Sequence, residues 1–258
     1  MSQWIIAGVR TGVRTTTYPA APDTADGISP GRPRGGEYGV DHAAALAARC
    51  PTGALDAREG RLVVDHRRCV HAYRCARQTA APVAWATGYE WATAARGPGE
   101  DDRLREFGRV LGRSIHVIVV DAGDCGACLH EVKQLNNPYY NMHRLGFFIT
   151  PTPRQADMLL VVGPVTDHMR VALQKTYDAM PTPKRVMAVG ACALSGGVFG
   201  PSFVSQAGVA TVLPVDVEVP GHPPPPLAIL HGLLVAVGRR APASDEPAPA
   251  ASGQADRR

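Results

Sequence analysis

The chain has 258 residues, 45% hydrophobic and 19% charged, which is enough apolar material for one large or two small cores and excludes a wholly disordered polypeptide. Its formal charge of +4 comes from arginines scattered along the chain rather than from a dense basic block, so no nucleic-acid partner is expected. The longest apolar stretches, such as 227–237, fall short of the roughly 18 residues of a membrane span, and residues 1–14 lack a secretory apolar segment, so a soluble, cytoplasmic protein is expected. In such a protein six cysteines are metal ligands or reactive thiols more often than disulfides.

In chain order, residues 1–40 read as an extended arm. Gly27, Pro30, Gly31, Pro33, Gly35 and Gly36 break any period there, and only Trp4 to Ala7 suggests a short strand. Residues 41–80 form a compact cysteine-bearing segment. It holds a short Ala-rich helix, a Cys-Pro turn at Cys50, a strand through Leu62, Val63 and Val64, then Cys69 and Cys75. It is too small to build an ordinary core alone. Residues 81–113 read as a linker, with Trp85, Tyr89 and Trp91 packing locally and Gly97, Pro98 and Gly99 forming a loop.

Residues 114–238 are of another kind. Ile115 to Val120, Met158 to Val162 and Arg185 to Val189 are short continuous apolar runs ending in Gly or Asp turns, the pattern of buried parallel strands. Between them lie helical spacings over Cys128 to Asn136 and over Asp167 to Ala179, where Met169, Ala172, Leu173 and Thr176 can share a face. This alternation predicts a doubly wound α/β sheet. A last helix over Leu227 to Gly238 follows four prolines, and residues 239–258 read as a disordered Ala, Pro and Ser tail.

Cys125 and Cys128 follow the first of these strands and Cys192 follows the third, so all three sit at carboxyl ends, where open α/β sheets bind ligands. Gly123, Gly126, Gly190, Gly196 and Gly197 clear side chains from that crevice and leave backbone N–H groups free to point at sulfide. Three thiolates beside such glycines suit iron–sulfur chemistry, with buried unligated cysteines as the plainer alternative.

Asp121-Ala-Gly-Asp-Cys-Gly-Ala-Cys128 with Glu131, Asn137-Pro-Tyr-Tyr140, Pro153-Arg-Gln-Ala-Asp157, Gly163-Pro-Val-Thr166, Met180-Pro-Thr-Pro-Lys184, Gly190-Ala-Cys192, Gly196-Gly-Val198 and Pro214-Val-Asp216 through Pro220-Gly-His-Pro-Pro224 carry a resemblance. Together they resemble the 20 kDa subunit family of respiratory complex I, the NADH-quinone oxidoreductase. The likeness is greatest to small subunits of formate-hydrogenlyase-type, membrane-bound [NiFe] hydrogenases, and the Cys-x-x-Cys spacing favours that branch. The resemblance implies a flavodoxin-like domain over 114–238 with one [4Fe–4S] cluster, docked on a large subunit and without substrate chemistry of its own. Where the family has its fourth cysteine, this chain has His222. A Cys₃His cluster of Cys125, Cys128, Cys192 and His222 is the expectation, with a potential raised by the neutral imidazole. A lost cluster and a structural zinc on the same four residues are the alternatives.

Cys50-Pro-Thr-Gly-Ala-Leu55, Leu62-Val-Val-Asp65 and Cys69-x5-Cys75 resemble the middle of a bacterial two-cluster ferredoxin. That spacing puts one motif at Val40, Ala43, Leu46 and Cys50, and the other at Cys69, Ala72, Cys75 and Thr79. Cys50, Cys69 and Cys75 therefore remain around a corner vacant at Ala72, the pattern of a [3Fe–4S] site. His71, one residue off register, reads as a solvated histidine. A metal-free ferredoxin-like α+β module, packed through Leu46, Leu55, Leu62 and Val64 and kept for docking, is the alternative.

His42, His66, His116, His130, His143, His168 and His231 show no paired spacing with carboxylates. Glu131 reads as a helix acid favoured by the dipole. No Walker loop, Ser-His-Asp set or Gly-x-Gly-x-x-Gly after a strand is present, so no independent active site is visible. The expected function is an electron-transfer subunit of a hydrogenase or complex I-related oxidoreductase. It is expected to work between a large catalytic subunit and a ferredoxin-type partner, peripheral on the inner face of the cell membrane through membrane subunits. The competing expectation is an assembly or docking subunit without functional clusters, or a zinc protein.

Overall fold

The computed structural model describes residues 3–94 except 78 and 80, together with residues 100–243. Helix α1 (Gln3–Thr11) is followed by the two-residue strands β1 (Arg32–Pro33) and β2 (Gly36–Glu37). A small unit then comprises α2 (Val40–Ala48), β3 (Leu55–Arg58) and β4 (Arg61–Val64). Strands β5 (Trp85–Ala86) and β6 (Thr93–Ala94) and helix α3 (Glu100–Leu111) lead into the larger unit. There follow β7 (Ile115–Asp121), α4 (Ala127–Gln134), β8 (Phe147–Ile149), β9 (Met158–Val162), α5 (Asp167–Ala179), β10 (Arg185–Val189), α6 (Ala191–Ser195), β11 (Val217–Val219) and α7 (Pro226–Ala236).

The main sheet runs β6-β11-β10-β9-β7-β8, parallel throughout except for β6, which pairs antiparallel with β11 at the edge. Numbered along the chain, the parallel strands lie in the order 2-1-3-4-5, the flavodoxin-like doubly wound arrangement. Every residue of β9 is buried, as a central strand covered on both faces requires. One face carries α3, α4 and α7, with Leu104, Phe107 and Val132 in the core, and the other carries Leu173 of α5 and Ala193 and Leu194 of α6. Helix α7 is apolar all round and buried along its whole length, the behaviour of a helix that no solvent reaches. In α5 the inward face is Met169, Leu173 and Tyr177, so Ala172 and Thr176 do not share it as expected.

The smaller unit is an antiparallel sheet β2-β4-β3 with α2 against it. Its core is Ala43, Leu46, Leu55, Leu62 and Val83, with Tyr38 and Val64 packed on it. The residues expected to hold this unit together therefore do so. Val83 is a contribution from beyond it.

Four expectations are corrected. Trp4 to Ala7 is helical within α1, since a strand needs a neighbouring edge and this segment buries none of its residues. The rest of the 1–40 arm is not loose: Tyr18 is buried, its hydroxyl donates to Glu90, and the Thr16 N–H donates to the Tyr139 carbonyl at 2.8 Å. Residues 81–113 are not a linker. Trp91 and Ala92 are buried, β6 closes the sheet edge, and Leu104 and Phe107 of α3 enter the core. The expected loop at Gly97, Pro98 and Gly99 lies outside the described residues. Of the expected tail, residues 239–243 are docked. Arg239 donates to the carbonyls of Leu145 and Gly112, and the Ala243 N–H to that of Ala92 at 2.7 Å. Residues 244–258 lie outside the described residues.

Helix α3 approaches α7 so closely at Gly108 that a Cβ there would overlap the Val237 carbonyl oxygen. Gly to Ala inside a helix ordinarily stabilises by about 1 kcal/mol. Gly108→Ala is instead expected to destabilise by about 1–3 kcal/mol through overpacking. Urea unfolding checks this, and a more stable variant would mean that α3 does not rest on α7.

Candidate metal centre

Strand order reverses between β8, β7 and β9, and the loops after β7 and β10 open at that end of the sheet. The first loop is shaped by two carboxylates. Asp121 Oδ1 accepts from the N–H groups of Gly123 and Asp124 at 2.9 and 2.7 Å, and Asp124 Oδ2 from those of Gly126 and Leu129, both at 3.0 Å. Cys125 is thereby held exposed in the loop and Cys128 buried in the first turn of α4. Cys192 lies buried in the first turn of α6, entered through Gly190 at φ 91°. His222 follows Gly221, whose φ of 140° and approach to Pro224, 2.5 Å from where a Cβ would sit, demand glycine.

The segments that carry these four residues meet at Gly190, two residues before Cys192, where a Cβ would lie 2.5 Å from Cys128 Sγ and 3.6 Å from the carbonyl of Gly221, the residue before His222. Burial pushes the Cys128 thiol well above its ordinary pKa, and the negative charges of Asp124, Cys192, Cys125 and Glu131 add to the effect. Burial also raises Cys192, with Cys125 and Asp124 adding to it. Burial lowers the pKa of His222, while the charge of Asp124 opposes that. Such thiols do not ionise readily alone, and a cation supplies the missing counter-charge.

The residues fit a bulky inorganic group. Cβ atoms at Gly190 and Gly197 would lie 2.5 Å from Cys128 Sγ and 2.6 Å from Cys192 Sγ. His222 Nδ1 is buried with no hydrogen-bond partner, an orphaned acceptor or donor. Among the described residues no three His, Cys, Asp or Glu side chains are gathered around one point tightly enough to hold a single ion, as a structural zinc would need.

The glycines act differently from expectation. Their N–H groups are already used, by Asp121 at Gly123, Asp124 at Gly126, the Val219 carbonyl at Gly190, the Cys192 carbonyl at Gly196 and Ser195 Oγ at Gly197. None is left to point at sulfide, because closing the turns consumes them. Gly190 and Gly197 clear space at the sulfurs, whereas Gly123 makes room for the Thr166 side chain, Gly196 for the Gly200 backbone, and Gly126 begins α4 in a left-handed conformation. The family-like Asp157 and Asp216 are structural: each accepts a backbone N–H at 2.8 Å, from His116 and Val186. Burial raises the pKa of Glu131 beside Cys128.

The smaller unit gathers the other three thiols. Cys50, Cys69 and Cys75 line one cavity with Ala72, Leu55, Tyr73 and Trp85. Cys50 Sγ accepts from the Ala54 N–H at 3.2 Å, and Cys69 Sγ from that of His71. Burial pushes the Cys69 thiol up to about 11, and Cys75 is raised for the same reason. The loop curls through left-handed backbone at His71 and Tyr73, φ 49° and 57°, a strain non-glycine residues accept only when their surroundings impose it. Ala43 and Leu46, aligned by spacing with ligands of a second ferredoxin cluster, are instead core residues.

His71 is half-buried rather than solvated. Its ring packs edge-on against Trp85 and Trp91, with centroids at 5.5 and 5.9 Å, and burial and the charge of His222 hold its pKa down at about 4. The two thiol sites are therefore neighbours. The intervening contact is fixed by an ion pair of Arg67 with the buried Glu218 of β11 at 2.8 Å and by Ser195 Oγ donating to the Arg67 carbonyl at 3.0 Å. Sequence reasoning missed this contact, since nothing local marks Arg67 and Glu218 as a pair. The Asp-x-x-Asp ahead of Cys125 was the available signal for the carboxylate-shaped loop.

A profile of the family described as NADH ubiquinone oxidoreductase, 20 kDa subunit, matches residues 125–236. A Pyrococcus furiosus protein named "Probable membrane-bound hydrogenase subunit mbhJ" is 40% identical over 141 residues, 55% of this chain and 84% of that protein. An NADH-quinone oxidoreductase subunit of Bacteroides thetaiotaomicron is 42% identical over 134 residues, 52% of this chain and 66% of the relative. Formate hydrogenlyase subunit 7 of Escherichia coli is 39% identical over 128 residues, half of each chain.

Proposed function

Because this chain belongs to the 20 kDa subunit family of NADH ubiquinone oxidoreductase, we propose that it is an iron–sulfur electron-transfer subunit of a hydrogenase or complex I-type assembly. The family normally binds a [4Fe–4S] cluster. Here Cys125, Cys128, Cys192 and His222 are the ligands, and Cys50, Cys69 and Cys75 hold a [3Fe–4S] cluster. A bound cluster supplies one-electron storage. The chain's part is to fix the ligands on short, carboxylate-stapled loops, to bury two of the three main-domain thiols from water, and to hold the sites side by side.

The observation that carries this reading is the contact between the two thiol-bearing segments, where Arg67 pairs with Glu218 and Ser195 Oγ donates to the Arg67 carbonyl. A large partner subunit docks over the loop after Cys192, where Phe199 is 65% and Phe203 92% exposed. Among the described residues no helix is long and apolar enough to cross a membrane. Attachment to the inner face of the membrane through partner subunits is part of the proposal.

A second reading is favoured by Ala43 and Leu46, which fill the smaller unit's core where a ferredoxin would have ligands. On that reading the unit is a metal-free docking module. Iron analysis of the anaerobically purified chain separates the two. About seven irons are expected, falling to about three in Cys192→Ser and about four in Cys69→Ser. A wild type with only about four irons would leave the module metal-free, and one with none would sink the electron-transfer reading.

A further inference from the structure

The arginines that look scattered in sequence are concentrated in one part of the molecule. Residues 32–77 hold nine arginines against five acidic residues, a net +4 that accounts for the whole formal charge of the chain. Within the second cysteine loop, residues 66–77 carry Arg67, Arg68, Arg74 and Arg77 and no acid. Arg67 is paired with Glu218. Arg49, Arg74 and Arg77 are exposed and line a surface hollow with Ala72 and Tyr73, and none of the three makes a salt bridge among the described residues.

That hollow shares a wall with the thiol cavity, because Ala72, Tyr73 and Arg74 line both. The Tyr73 ring is held in place, stacked on Trp85 with centroids at 4.4 Å and with the Arg77 guanidinium 5.2 Å from its centroid. We propose that the Arg49, Arg74 and Arg77 hollow is the docking surface for an acidic electron-carrier protein, which reaches the Cys69 and Cys75 site through the Tyr73 wall. This rests on the electron-transfer reading above. A compact cationic hollow backed by a thiol site suits a small acidic redox protein. A nucleic-acid strand would instead be tracked by an extended basic stripe.

Binding of an acidic bacterial-type ferredoxin to the full chain, measured by titration at low ionic strength, tests the surface. The double variant R49E/R77E, which leaves the residues lining the thiol cavity untouched, is expected to bind at least tenfold more weakly, with unchanged iron content. The charge-matched control R10E/R14E, at exposed arginines elsewhere, is expected to bind as the wild type does. Added salt is expected to weaken wild-type binding steeply. No binding by the wild type, equal loss in the control, or displacement of the ferredoxin by a DNA oligonucleotide at matching concentration would overturn the proposal. Iron measured in the same samples keeps the two ideas apart. Docking without iron sinks electron transfer and leaves the surface standing, and iron without docking does the reverse.

Discussion

His222→Ala is expected to make the main-domain cluster labile, with iron lost to a chelator at least tenfold faster than from the wild type. The turn that carries His222 leaves that side chain little freedom, since Gly221 is pressed on Pro224 and the imidazole Nδ1 is buried with nothing to bond. Alanine removes the ligand. His222→Cys is expected to keep the iron and to lower the midpoint potential by on the order of 100 mV, because an anionic thiolate replaces a neutral imidazole and favours the oxidised cluster. A chelator assay and an EPR-monitored redox titration read the two effects. Unchanged iron retention and potential in both variants would remove His222 from the ligand set. Metal kept in His222→Cys without a redox signal in any variant would mean zinc.

The second large effect is expected at Ala72. Its side chain stands in the wall of the cavity that holds Cys50, Cys69 and Cys75, at the corner the ferredoxin-like spacing leaves without a thiolate. The left-handed residues on either side of it, His71 and Tyr73, already wrap the loop around the sulfurs, so Ala72→Cys needs no new backbone path. It is expected to convert a three-iron site to a four-iron one. The EPR signal of the oxidised [3Fe–4S] form would then disappear and one further iron per chain would be bound. If Ala72→Cys leaves that signal in place, the loop does not direct residue 72 at the metal. If neither protein gives the signal and the smaller unit holds no iron, the unit is a docking module.

The parts of the fold legible in the sequence are those whose signals are local. Met158 to Val162 and Arg185 to Val189 are continuous apolar runs because both sheet faces are covered, and the carboxyl ends of Ile115 to Val120 and of Arg185 to Val189 locate Cys125, Cys128 and Cys192 without any knowledge of the tertiary contacts. Residues 81–113 are illegible as structure for the opposite reason. Strand β6 has two residues, and Trp91 and Ala92 are buried by the sheet edge and α7, which lie more than a hundred residues ahead. In α3 only Leu104, Phe107 and Leu111 mark an inward stripe among charged residues, a signal too thin to outweigh the Gly-Pro-Gly before it.

At the candidate site the same division holds. Ligand types and their order are written in the motifs, but the use of every glycine N–H in turn closure is a matter of three-dimensional bonding. His71 shows this most directly: its register argues for a solvated side chain, and the folded chain packs it against Trp85 and Trp91. The pairing of Arg67 with Glu218, 151 positions apart in the sequence, sets the two thiol sites side by side and leaves no trace in either local segment.

The most direct test of the account is an EPR-monitored redox titration of the anaerobically purified full chain, with iron and sulfide determined on the same sample. The account predicts two signals, a [3Fe–4S] signal in the oxidised state that is lost in Cys69→Ser, and a [4Fe–4S] signal on reduction that is lost in Cys192→Ser. A chain that folds with native stability yet holds no iron or sulfide and gives neither signal would contradict it.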